Sequence, residues 1–106
     1  MFRHVVLFTW KPEATDEQKQ AVHAELAKMP PAIDAIRAYK YGPDAGVNPA
    51  NSDYVVVADF DDAAGYVTYR DHPAHRAMVE RYVTPIVASR AAIQFEIWGA
   101  GDGTGK

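Results

Sequence analysis

The sequence predicts an α+β fold of the order β-α-β-β-α-β, with two helical regions on one face of a four-stranded antiparallel sheet. Three observations carry this expectation. Four β-rich segments alternate with two helix-patterned ones, which fall after the first and after the third strand. The chain has 106 residues, the size of one ordinary domain. The first and third strands are apolar on both faces, which limits what can surround the sheet.

Residues 3–10, RHVVLFTW, read as a strand that ends at Lys11-Pro12. Thr15 with Gln18 three positions later fits a capping box, and Asp16 and Glu17 favour the positive end of the helix that follows. Val22, Leu26 and Met29 recur at helical spacing, and Pro30-Pro31 is expected to stop the helix. Residues 36–41 read as a second strand and 42–52, GPDAGVNPANS, as a long loop. Residues 53–60, DYVVVADF, form the clearest strand. Asp61-Asp62 can cap a second helical region running to about Val83, and residues 91–98 are the last strand. The domain is expected to span residues 1–98, with 99–106, GAGDGTGK, as a flexible tail. That tail is not a phosphate-binding loop, because Ala100 stands where the first Gly belongs and no helix can follow.

The strands also predict a partner. His4, Val6, Phe8 and Trp10 alternate with Val5, Leu7 and Thr9, and Tyr54, Val56, Ala58 and Phe60 alternate with Val55 and Val57. Both faces are apolar, yet the helices suffice to cover one. A second copy of the chain, packed sheet to sheet, is the simplest cover for the other, so a homodimer is expected.

Composition narrows the function. The net charge of −3 leaves no basic footprint, which argues against nucleic acid as a partner. No apolar run reaches the ~20 residues needed to span a bilayer, so no membrane partner is expected. The opening MFRHVVLFTWK reads as a strand rather than a secretory signal, and the cytoplasm is the expected location. The chain has no cysteine, which removes disulfides, thiolate metal sites and a cysteine nucleophile.

Candidate chemistry concentrates in AAGYVTYRDHPAHRAMVERYVTPIV, residues 63–87. Proline disfavours helical geometry in the residue before it and suits a first helical turn, so the helix should break at Asp71-His72 and restart at Pro73. Beyond the break, His75, Met78, Val79 and Tyr82 share one stripe, extended by Ile86 if helix persists past Pro85; Arg76 and Glu80 fall opposite, where they can pair. His75 then sits on a buried stripe near a helix N-terminus, where burial and the dipole both keep imidazole neutral at pH 7, as a general base requires. The same position also suits a core histidine whose ring nitrogens are satisfied by the protein. Tyr69 can converge on His75 only through the break, and is otherwise an aromatic packing residue. His4 shares a face with Val6 and Phe8 and can reach the same cavity, whereas His23 flanks its helix stripe and should be half exposed. His72 and His75 form an H-x-x-H pair, but with no carboxylate cluster nearby and Pro73 between them they make no metal site, and no cofactor is expected.

HVVLFTWK at the start, DYVVVADF in the middle and YRDHPAH before the last helix together resemble the stress-responsive A/B barrel (Dabb) domain family, from about Arg3 to Trp98. The resemblance implies a ferredoxin-like fold and a homodimer whose two sheets form an α/β barrel. Within that family the Tyr-x-x-His-Pro-Ala-His pattern is similar to plant polyketide cyclases of the olivetolic acid cyclase type. By that likeness His75 is the catalytic base and Tyr69 the hydrogen-bond donor to a developing oxyanion. His4, Val6, Phe8, Tyr66, Met78 and Glu96 are then substrate-binding, around a small apolar or aromatic carbonyl compound. Trp10, Tyr66 and Met78 depart from the cyclases towards a bulkier lining. The His-Pro-x-His element also occurs in family members of no known activity, where a helix start is reason enough for it. Three readings follow: an acid–base cyclase, isomerase or lyase; a non-catalytic, stress-related dimer that binds a ligand or serves a structural role; and a monooxygenase-type dimeric barrel, which shares only the fold.

Overall fold

A computed structural model describes residues 1–98. The expected tail, residues 99–106, lies outside the described residues. The elements run β1 (Phe2–Trp10), α1 (Asp16–Leu26), α2 (Met29–Ala32), β2 (Ala38–Pro43), β3 (Tyr54–Phe60), α3 (Ala63–Asp71), α4 (Pro73–Met78), a π-helical turn (Val79–Val83) and β4 (Val87–Glu96). The four strands form one antiparallel sheet in the order β2-β3-β1-β4. This is the ferredoxin-like α+β fold, with β1 and β3 at the centre and the helices on one face.

The two longest helices begin where the sequence supplies a cap. Thr15 and Gln18 close the capping box on α1, and the Asp62 side chain accepts from the Gly65 N–H at the start of α3. Gly65 has a second reason to be there: a Cβ at this position would lie 3.1 Å from the Cβ of Phe60, a fully buried residue beneath α3.

Several expected boundaries move. The first helix ends at Leu26, and Pro30-Pro31 do not terminate it but lie within the short α2. A first helical turn needs no N–H from those positions, so proline can open a helix as readily as it closes one. β2 starts two residues later than expected and includes Gly42 and Pro43, which an edge strand tolerates. β4 starts at Val87, opposite Trp10, rather than at residue 91, and ends at Glu96. The helical stripe does not run past Pro85; Ile86 is buried from the turn that leads into β4. Arg76 and Glu80 form no ion pair in the structure.

The core lies between helices and sheet. Val22, Leu26, Ile33, Val56 and Phe60 are fully buried, and His4, Val6, Phe8 and Trp10 face the helices as their alternation implies. On the outer face Arg3 grips Asp59 through two hydrogen bonds of 2.7 and 2.8 Å, across directly paired positions of β1 and β3. The rest of that face carries Val5, Leu7, Val55, Val57, Ile93 and Phe95, and no helix among the described residues covers it. Among the described residues no helix is long and apolar enough to cross a membrane.

The Asp62 cap anchors the helix that carries Tyr69. Asp62→Ala should lower stability by about 1 kcal/mol, read as a shift in the urea midpoint with unchanged slope.

Candidate active site

A cavity of about 300 Å³ opens between the sheet, α3, α4 and the π-helical turn. Its walls are mainly Val6, Phe8, Leu26, Val56, Met78 and Val83, and its polar groups are His4, Tyr66, Tyr69 and His75. Arg70, Thr84 and Arg90, all exposed residues, complete its rim. A wider hollow of about 440 Å³ lies against the loop at Asp44, Asn51 and Ser52, but it holds no histidine and is more open to solvent.

The helix break builds this site. His72 takes an extended conformation, with φ −63° and ψ 135°, as the residue before proline should. It also caps the helix it precedes, because its Nδ1 accepts from the Ala74 N–H at 3.1 Å. That capping role was not foreseen from the sequence. Among the described residues no three His, Cys, Asp or Glu side chains gather as a metal site.

Tyr69, in the last turn of α3, and His75, in the first turn of α4, meet with ring centroids 4.2 Å apart. His75 Nδ1 lies 3.1 Å from the carbonyl oxygen of Arg70. A carbonyl only accepts, so Nδ1 carries the proton and Nε2 is left with its lone pair. Burial lowers the His75 pKa; the Arg70 hydrogen bond works against this, while the nearby His72 and Arg90 charges add to it. The result is a neutral imidazole whose Nε2 has no hydrogen-bond partner among the described residues.

Tyr69 is 2 % exposed, and burial pushes its hydroxyl up to about 12, so it stays protonated and can donate. Its oxygen is 2.7 Å from the hydroxyl of Tyr39. Burial and the neighbouring tyrosines raise Tyr39 as well, so both hydroxyls stay protonated and either can donate to the other.

His4 is also buried and neutral. Burial first, then the charges of Arg90 and His75, bring its pKa down to about 4. Its Nδ1 lies 2.9 Å from the side-chain amide of Gln94, and its ring is 4.8 Å from that of Tyr66.

Of the residues singled out from sequence, the cavity brings together His4, Val6, Phe8, Tyr66, Tyr69, His75 and Met78. Glu96 is not among them: it is exposed and pairs with Phe2 at the far end of β1. The cavity takes Val87 and Arg90 from β4, and Gln94, directly opposite His4, bonds its ring. Strand alternation puts Gln94 and Glu96 on the same face, and only the pairing register decides which one reaches His4. Trp10 lies behind the cavity, stacked on Phe8 at 5.5 Å. His23 is exposed, and its Nδ1 shares a 3.1 Å hydrogen bond with the Tyr54 hydroxyl. Tyr39, Arg90 and the Arg70 carbonyl were missed. Tyr39 sits in the inward phase of β2, but no local pattern ties it to a residue on α3.

The family model described as Stress Responsive A/B Barrel Domain matches residues 2–97. A dimeric ferredoxin-like protein of unknown function from Thermobifida fusca is 40% identical, with 91% of this chain and 90% of that one covered and a TM-score of 0.84. A Dabb family protein from Mesorhizobium loti is 25% identical over 92% and 97% of the two chains, with a TM-score of 0.77. A hydroxynitrile lyase from Passiflora edulis shares the fold, with a TM-score of 0.80 over 91% and 92% of the chains, at 16% identity. No curated protein sequence matches the chain.

A histidine whose folded pKa lies below its unfolded value costs nothing above the unfolded pKa; as pH falls towards the folded value, protons bind the unfolded state and stability is lost. For His4 the window runs from 6.5 down to about 4, a loss of up to about 3 kcal/mol. Urea unfolding across that range should show the decline, with a clearly shallower slope for His4→Gln.

Proposed function

Because this chain belongs to the stress responsive A/B barrel domain family, we propose that it is a homodimeric acid–base enzyme, a cofactor-independent cyclase, isomerase or lyase, acting on a small apolar compound that bears a carbonyl group. His75 is the base and Tyr69 the hydrogen-bond donor. The observation that carries this reading is the His75–Arg70 hydrogen bond: it fixes the tautomer and leaves Nε2 basic, beside a protonated tyrosine, in an apolar cavity.

The chemistry follows from those two groups. Nε2 takes a proton from the carbon next to the carbonyl, and charge moves onto the carbonyl oxygen. The Tyr69 hydroxyl donates to that developing oxyanion while Tyr39, in hydrogen-bond contact at 2.7 Å, turns its own proton towards Tyr69. The imidazolium then returns the proton to a different carbon, to the alkoxide formed when the enolate carbon attacks a second carbonyl, or to a leaving oxygen, so one site serves isomerisation, aldol closure or elimination. Val6, Phe8, Met78 and Val83 exclude water and strengthen both interactions. The passion-fruit lyase supports the reading at the level of the scaffold, which in that protein carries an enzyme.

A second reading, a dimer that binds its ligand without turnover, is favoured by one observation. His72 and Pro73 are fully employed in starting α4, so the motif has a structural use without catalysis.

The dimer is read from the outer sheet face. Leu7, Ile93 and Phe95 are 36%, 60% and 39% exposed on a surface that no helix covers, and two such faces pack as sheet on sheet. The 40% identical relative from Thermobifida fusca is described as dimeric.

Two experiments test these points. Exchange of the α-protons of phenylpyruvate into D₂O, followed by proton NMR, should be accelerated by the protein. His75→Ala should lose about 10²–10⁴ of that acceleration and Tyr69→Phe a smaller part. Binding without exchange would favour the second reading. Light scattering should give twice the 11.7 kDa chain mass, and Ile93→Asp should shift the mass towards the monomer.

A further inference from the structure

We propose that Arg90 makes this cavity selective for compact apolar keto acids, holding the substrate carboxylate at the rim while the carbonyl carbon lies between His75 and Tyr69. The inference rests on the acid–base reading for the second half of that placement, and on geometry alone for the first.

Other cations with a role in the fold are already occupied. Arg3 is held by Asp59, Arg37 by Asp61 and Lys28 by Glu25, and Arg81 lies 5.4 Å over the ring of Tyr82. Of the two guanidiniums on the cavity rim, Arg70 is neutralised by a two-pronged contact with Asp71, at 2.8 and 3.0 Å. Arg90 makes no ion pair, side-chain hydrogen bond or ring contact among the described residues. It nevertheless faces inward. Its partner in the sheet is Phe8, which lines the same cavity.

Among the described residues no Asp or Glu lines the cavity. Its two histidines are neutral, so among those residues Arg90 is its one uncompensated charge, and its field reaches both of them, lowering the affinity of His4 and of His75 for a proton. A carboxylate at the rim would meet a planar fork that can bind it through two parallel hydrogen bonds. At about 300 Å³ the cavity is at the small end of ligand pockets, roughly 300–1,000 Å³, so the remainder of the ligand must be compact. The bland alternative is that an inward charge on the edge strand β4 merely discourages edge-to-edge pairing.

Phenylpyruvate and its methyl ester, which differ at the carboxylate, separate these cases. Their affinities are read from proton–nitrogen NMR shifts of the dimeric protein, in the wild type, Arg90→Gln and Arg90→Lys, each checked for an unchanged fold by the spectrum. The wild type should bind the acid at least about fivefold more tightly than the ester, the upper range for an exposed ion pair. The ratio should fall to about one in Arg90→Gln, be partly kept in Arg90→Lys, and shrink with added salt in the wild type. A wild-type ratio near one, a ratio unchanged in Arg90→Gln, or no binding of the acid at millimolar concentration overturns the proposal. An acid preference that depends on Arg90 without α-proton exchange would instead overturn the acid–base reading and leave the carboxylate selection standing. A ratio near one with exchange that needs His75 would do the reverse.

Discussion

Everything at this site depends on a constraint of a single residue: Pro73 denies His72 a helical conformation. The break ends α3 at Asp71 and starts α4 at Pro73, so two residues that one continuous helix would point apart, Tyr69 and His75, meet ring against ring instead, their planes tilted by 41°. It also leaves the last carbonyls of α3 without helical partners. One of these, on Arg70, takes the His75 Nδ1 proton, and another, on Tyr69, takes the His72 N–H. The same kink that gathers the side chains therefore also selects the histidine tautomer. Structure and chemistry are not alternatives here: a helix start with this geometry produces a basic nitrogen as a by-product.

The electrostatic state of the cavity follows from burial more than from partners. His4 and His75 are both kept neutral first by desolvation, and Tyr39 and Tyr69 are both kept protonated by it. Among the described residues no buried side-chain nitrogen or oxygen lacks a hydrogen bond. Three of the four polar rings, those of His4, His75 and Tyr69, thus line a largely apolar wall, with Tyr39 against Tyr69. Each is uncharged in the resting site, and charge would appear only when a proton moves. An environment of that kind favours a step that creates and then removes a single ion pair.

The sheet is the platform that makes these distances possible. Central β1 and β3 place His4, Val6, Phe8, Val56 and Ala58 under the helices, and the Arg3–Asp59 pair fastens the same two strands on the opposite face. Edge strands supply what the centre cannot: Tyr39 from β2 reaches Tyr69, and Gln94 and Arg90 from β4 reach His4 and the rim.

The amino-acid sequence by itself determined the order of elements, the caps at Thr15 and Asp62, the break before Pro73 and the inward phase of His4, Val6 and Phe8. These are local matters: dihedral limits, N–H groups in need of acceptors and a period of two along a strand. Because the break is local, the meeting of Tyr69 and His75 was legible as well. Tertiary structure alone decided that Gln94 rather than Glu96 stands opposite His4, that Tyr39 holds Tyr69 and that Arg90 has no ion-pair partner at the rim among the described residues. Those outcomes turn on pairing register and on contacts between residues distant in sequence. Sliding β4 by two residues keeps its pattern of faces yet exchanges every partner, so no periodicity in the chain could distinguish the registers.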